Sequence, residues 1–196
     1  GFGPVLGIGL GGFVIGSAVR HLVLTARRQG WRAATGRAGG GMVAHIGVSL
    51  LAFGFIASTS FSEEGEFQLR PGEVGSVAGH QIRFVQLTDE MDGPNRVVRA
   101  QIEVEGRGFY APAITQYPTF GRPIATPSVA TSLVDDVYLS LVAIPEENSD
   151  VVVVRVLVEP LVGWIWVGGF VIAAGTVLAI LPGRRNSHSE MEDIFA

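Results

Sequence analysis

The 196-residue sequence has no cysteine and no lysine, and only 16% of its side chains are charged. Without cysteine there can be no disulfide framework, thiolate metal site or thiol redox centre, so any thiol chemistry must come from a partner. Its 14 basic residues are all arginine, which reads as genomic composition rather than mechanism. The low charge, against about 25% in an average soluble domain, accompanies a hydrophobic content of 47% and points to a membrane protein. Acidic residues are missing from the first 60 positions, where the charged residues are Arg20, Arg27, Arg28, Arg32 and Arg37. Of the 18 acidic residues, 15 fall between Ser62 and Glu159 and three in the tail. Ser-His-Asp arrangements, phosphate-cradling loops ahead of a helix and HExxH are also missing, which removes the usual hydrolase, nucleotide-binding and zinc-peptidase readings. The chain opens on Gly1 without an initiator methionine, and its first apolar run lacks the basic flank and cleavage site of a signal peptide. The expectation is a C-terminal piece of a longer protein, or a processed subunit.

Long apolar runs are plentiful. Three segments approach the ~20 residues that cross a ~30 Å hydrocarbon core. The expected organisation is a first transmembrane helix within 1–27, a basic loop at 28–40 and a second helix at 41–60. A β domain at 61–159, a third helix at 160–182 and a tail at 183–196 follow. Arginines crowd the loop between the first two spans, and Arg184 and Arg185 follow the third. By the positive-inside rule the loop and tail are cytoplasmic and the acidic β domain lies on the outer side. That domain shows alternating or β-branched runs, such as "EVGSVAGHQIRFVQLTDE", "RVVRAQIEVEGRGFY" and "VVVVRVLVEP", separated by turn residues. Five to seven antiparallel strands are expected, with "DGPN" at 92–95 turning two of them and the proline-rich "QYPTFGRPIATPSVAT" forming a structured loop. The fold class is therefore integral membrane α-helical, with an antiparallel β domain inserted between helices 2 and 3.

Within the spans, Gly7 and Gly11, and Gly12 and Gly16, have the GxxxG spacing that lets helices approach closely in lipid, although glycine is also simply frequent there. Trp164 and Trp166 suit an aromatic belt at the start of the third span. Of the four histidines, His80 and His188 read as exposed and His21 as close enough to a span end for its polar tip to reach the headgroups. His45 differs, because it lies inside an apolar run with no Asp or Glu in any span to pair with it. Its imidazole needs partners for one donor and one acceptor. The residues alone leave two readings open: ligation of a metal centre, or a hydrogen bond to another helix or to water in a cavity.

Four stretches, in order and over nearly the whole chain, resemble the C-terminal part of CcmF, the membrane component of the cytochrome c haem lyase. "GGGMVAHIGVSLLAFGFIASTSFS" resembles the family's penultimate helix, and "FQLRPGEVGSVAGHQIRFVQLTDEMDGPN" the entry to its outer β domain. "YAPAITQYPTFGRPIATPSVATSLVDDVYLSL" is similar to its succession of Pro, Tyr and small residues, with Pro127 where an acidic residue is usual and Asp136-Val137-Tyr138 in place of "DLY". "VEPLVGWIWVGGFVIAAGTVLAILPGRR" is similar to its final helix and basic exit.

The resemblance implies a haem lyase subunit of the bacterial inner membrane that supports joining of haem vinyl groups to the CxxCH thiols of an apocytochrome c. It implies a haem b in the membrane, held by two histidines, that supplies reducing equivalents to the incoming haem. The later of those histidines corresponds to His45, its iron-ligand partner belonging to an upstream helix. The implied partners are the upstream part of the lyase, other maturation subunits, a haem chaperone and apocytochrome c; nucleic acid is not among them. The family's tryptophan-rich outer motif and its flanking histidines are missing here, Trp31, Trp164 and Trp166 being isolated. No catalytic residue is assigned, and the chain alone is not expected to be active. The alternative is a non-enzymatic, membrane-anchored β module that docks partners. A transporter is disfavoured by the lack of an intramembrane carboxylate.

Overall fold

The computed structural model describes residues 2–31, 36–146 and 149–180; the expectations for Arg32, Arg184, Arg185, His188 and the tail lie outside these. Three helices are long and apolar enough to cross a membrane: α1 (Phe2–Gln29), α2 (Arg37–Ser60) and α3 (Val162–Ile180). The first ends where Gly30 turns into the left-handed region and donates its N–H to the Ala26 carbonyl at 3.0 Å, a glycine cap for an orphan carbonyl. Hydroxyls within the spans bond to carbonyls of their own helix: Ser49 to His45 at 3.0 Å and Thr176 to Ile172 at 2.8 Å. In lipid this matters, since there is no water to satisfy them.

The chain divides into a helical unit, Gly1–Phe53 with Trp164–Ala196, and a β unit, Gly54–Gly163. In the helical unit α2 and α3 run antiparallel along a seam of small residues. Methyl groups placed on Gly40 and Gly47 of α2 would lie under 3 Å from backbone atoms of Gly175, Ala179, Gly168 and Ile172 of α3. The reciprocal holds for Gly168 and Gly175 against Gly47, Leu51, Gly40 and Ala44. The glycines thus recur every seven residues on both helices, the spacing of a left-handed antiparallel crossing. Among the described residues, three of the GxxxG glycines of α1 make no such close approach. Gly12 and Gly16 have nothing within 4 Å, and Gly11 only just reaches the Ser49 carbonyl.

The β unit is a ten-stranded antiparallel sandwich: β1 (Glu63–Leu69), β2 (Val74–Val77), β3 (His80–Asp92), β4 (Asn95–Val104), β5 (Gly108–Tyr110), β6 (Ala113–Gln116), β7 (Ile124–Thr126), β8 (Ser128–Thr131), β9 (Asp135–Leu141) and β10 (Val152–Pro160). One sheet has the order β1-β10-β9-β8; the other runs β2-β3-β4-β6-β7, with β5 also paired to β4. Strict alternation builds the core. Val152, Val154, Val156 and Val158 of β10 point inward, as do Val137, Leu139 and Leu141 of β9. Ile82, Phe84, Ala100, Ile102 and Val104 meet them from the other sheet. "DGPN" turns β3 into β4, with Gly93 at positive φ at the first central position and Asp92 paired to Asn95. The strand number exceeds the five to seven expected, because four strands between 108 and 131 have only three or four residues each. Two of these, β7 and β8, lie in the proline-rich stretch expected to be loop.

Candidate functional site

His45 is carried by the second apolar helix, whose span begins at Gly39, so its Cα lies roughly 9 Å along the axis from that end. The helix periodicity decides where it points. Gly40, Ala44, Gly47 and Leu51 face α3, while His45 stands about 130° around the helix from that seam. It is exposed, on the same face as Val48 and Ala52.

The ring's hydrogen bonding fixes its chemistry. Nδ1 lies 2.8 Å from the carbonyl oxygen of Gly41, one turn back. A carbonyl can only accept, so in the neutral ring the proton is on Nδ1 and the lone pair is on Nε2. A backbone carbonyl holding the far nitrogen is the arrangement that orients a metal-ligating histidine. The residues present therefore fit one axial bond to a haem iron, through Nε2, in apolar surroundings. Among the described residues no group of three His, Asp or Glu side chains could hold a metal ion by itself. His45 would thus be a lone donor to a group with its own ring of ligands. His21 is exposed on α1, about two turns before its end, and has no part in this arrangement.

The β unit holds a polar cluster that inspection of the sequence missed. His80 is not exposed as expected; its side chain retains only 17% of its accessibility and its Nε2 lies 2.8 Å from Asp135 Oδ2. The guanidinium of Arg107 bonds to Asp135 Oδ1 and also donates to the carbonyls of Ala130 at 3.0 Å and Asp135 at 3.2 Å. Arg107 is held in place by the β4–β5 turn, where Gly106 and Gly108 both take positive φ. Partial burial pushes the Asp135 carboxyl up, but the hydrogen bonds from Arg107 and His80, with their charge, outweigh it. The net result is a carboxyl held below its ordinary range. Asp136, the next residue, is buried and accepts from the Ser132 N–H at 3.2 Å. Neither acid belongs to the solvated surface expected of this domain. With both oxygens of Asp135 engaged by side chains from the other sheet's β3 and its β4–β5 turn, the cluster ties the two sheets together.

Comparison with known proteins places the chain. Its fragment-length alignment to the cytochrome c-type biogenesis protein CcmF of Haemophilus influenzae is 31% identical over 150 residues, 74% of this chain and 23% of that protein. The cytochrome c-type biogenesis protein CycK of Rhizobium meliloti is 30% identical over 202 residues, 93% of this chain and 29% of that protein. The chain belongs to the CcmF family. No family model matches it. A solved structure of the cytochrome c heme lyase CcmF superposes with a TM-score of 0.65, covering 84% of this chain and 29% of that one, at 23% identity. That likeness shows the CcmF fold: three helices apolar enough to span, with an antiparallel β domain between the second and third. The chain spans about a quarter of the length of the CcmF and CycK relatives it matches, in their C-terminal region.

Proposed function

We propose that this chain forms the C-terminal part of a cytochrome c haem lyase subunit and that His45 supplies one axial bond to a haem b held within the membrane. The observation that carries the reading is the His45 ring, with Nδ1 bonded to the Gly41 carbonyl and Nε2 presented from an exposed face of an apolar helix. A polar ring on such a face costs several kcal/mol in hydrocarbon unless something takes up its lone pair. The related proteins, named as cytochrome c-type biogenesis proteins, supply the context.

A haem bound there supplies one-electron redox chemistry. The chain's own contribution is positional. The Gly41 carbonyl orients the ring and, in its neutral form, leaves the lone pair on Nε2; the small-residue seam with α3 fixes the rotation of α2, and the span itself is uncharged. The second axial ligand would come from an upstream helix. Covalent attachment of haem to apocytochrome c thiols would require the rest of the lyase, a haem chaperone and other maturation subunits. The location that fits is a bacterial inner membrane, with Arg27, Arg28 and Arg37 at the cytoplasmic ends of α1 and α2 and the acidic β domain on the outer side.

The test is a reduced-minus-oxidised spectrum of the assembled full-length protein, with cytochrome c yield measured alongside. His45→Ala should remove the b-type absorption and lower the yield. An unchanged spectrum and yield would reject haem ligation and leave a membrane-anchored docking module as the reading.

A further inference from the structure

The β8–β9 turn, Ser132–Val134, has a composition at odds with its domain. The run Pro127 to Val134, "PSVATSLV", is uncharged, whereas fifteen acidic residues lie between Ser62 and Glu159. At its tip Leu133 and Val134 are each 68% exposed. Two adjacent large aliphatic side chains held out from a well-packed domain call for an apolar environment.

The turn is rigid and its position is defined. The Ser132 hydroxyl donates to the Asp135 carbonyl at 2.7 Å and accepts from the N–H groups of Val134 and Asp135 at 3.1 and 3.0 Å. At the base, Arg107 ties together the carbonyls of Ala130 and Asp135, and His80 holds the Asp135 carboxylate. The turn is also bonded to the start of α3: the Leu161 N–H donates to the Val134 carbonyl at 2.8 Å. A methyl on Gly163 would come within 3.2 Å of the Ser132 carbonyl. Leu161 itself takes φ of 59°, a left-handed conformation rare for a leucine.

That hydrogen bond sets the depth of the turn. The described 19 residues of α3 rise about 28 Å, and Pro182, Arg184 and Arg185 follow soon after in the sequence, so the apolar run matches a ~30 Å hydrocarbon core with little to spare. Its first residue, Val162, must stand at the edge of the core, and any tilt draws it deeper. Val134, whose carbonyl accepts from Leu161, lies at that same level. Phe61, directly after α2 and 50% exposed, adds a large apolar side chain at the corresponding span end. Phe109 and Phe120 are similarly exposed, but among the described residues no bond ties either to a span.

We propose that the β8–β9 turn is a membrane-inserted finger, with Leu133 and Val134 seated in the boundary between lipid headgroups and acyl chains beside the start of α3. The proposal rests on α3 crossing a membrane and is independent of haem binding. Insertion adds apolar burial at the membrane surface.

Cysteine-free sequence makes the test direct, since an introduced thiol is unique on this chain. Leu133→Cys, Val134→Cys and Met91→Cys are prepared in the full-length protein, with other cysteines of the assembly replaced by serine. Each is labelled with an environment-sensitive fluorophore and reconstituted into phosphatidylcholine–phosphatidylglycerol vesicles. At 133 and 134, nitroxide lipids labelled near the headgroup end should quench at least about threefold more strongly than aqueous iodide, with blue-shifted emission. At Met91, exposed near the β3–β4 hairpin tip, iodide should dominate. Stronger iodide quenching at 133 and 134 would overturn the proposal. So would protection from both quenchers, which would mean a protein partner covers the turn. Either of the two finger positions suffices if the other variant does not assemble.

Discussion

Replacing Gly47 by alanine probes the packing that fixes the orientation of His45. The added methyl would stand 2.6 Å from the Ile172 nitrogen and 2.8 Å from both the Gly168 carbonyl oxygen and Ile172 Cγ1. Two of those atoms are backbone, so relief requires the helices to separate by about 1 Å. A gap of that size forfeits a quarter to a half of each atom-pair contact along the seam, each worth ~0.1–0.2 kcal/mol. Over roughly thirty such pairs the loss is about 1–3 kcal/mol, the range found for overpacked interiors. Gly12→Ala on α1 is the comparator, because nothing lies within 4 Å of the added methyl; by helix propensity it should be neutral or stabilising by up to ~1 kcal/mol. Thermal denaturation of the assembled protein in detergent, followed in parallel for both variants, measures the difference. If Gly47→Ala is as stable as Gly12→Ala, the seam is not close-packed and the argument for how α2 is oriented fails.

Three further outcomes follow from the structure. Ala78 has φ of 48° and precedes Gly79 at 81° in the two-residue turn joining Val77 to His80, so it carries a left-handed conformation that costs alanine energy. Ala78→Asn should stabilise the β domain by about 0.5–1 kcal/mol, read as a higher unfolding midpoint in denaturant. Asp135 has a depressed carboxyl in the folded state, so its stabilisation is complete above the unfolded value near 3.9 and is lost as pH falls through the lower folded value. An acid titration of stability should therefore drop steeply below about pH 4 in the native protein. Asp135→Asn should lower stability at neutral pH by about 1–3 kcal/mol and flatten that acid limb; a variant with an unaltered limb would show that the clamp contributes nothing.

The sequence disclosed features that depend on neighbours in the chain and concealed those that depend on distant ones. The three spans were legible as long uncharged runs, and "DGPN" as a hairpin turn, because hydropathy and turn chemistry are local. The long strands β4 and β10 announced themselves by alternation. The short strands β6 to β8 did not, since three or four residues are too few for a period to register and prolines at 112, 118, 123 and 127 crowd the connections between them. His45 was legible as an unpaired polar group in an apolar run, but not the Gly41 bond that leaves Nε2 available. The GxxxG spacing of α1 left close packing and mere glycine frequency both open, whereas the α2–α3 seam uses Gly40, Gly47, Gly168 and Gly175. Their seven-residue interval in two separate spans was the signal available. No local signal pairs His80 with Asp135, which lies 55 residues away in the other sheet.

Chemical rescue at position 45 tests the central claim most directly. In the assembled full-length protein, His45→Gly leaves room for free imidazole at the place of the missing ring. The variant should lose the low-spin b-type spectrum and regain it when millimolar imidazole is added, while buffer without imidazole restores nothing. A b-type spectrum that persists in His45→Gly without imidazole would contradict the assignment of His45 as an axial ligand.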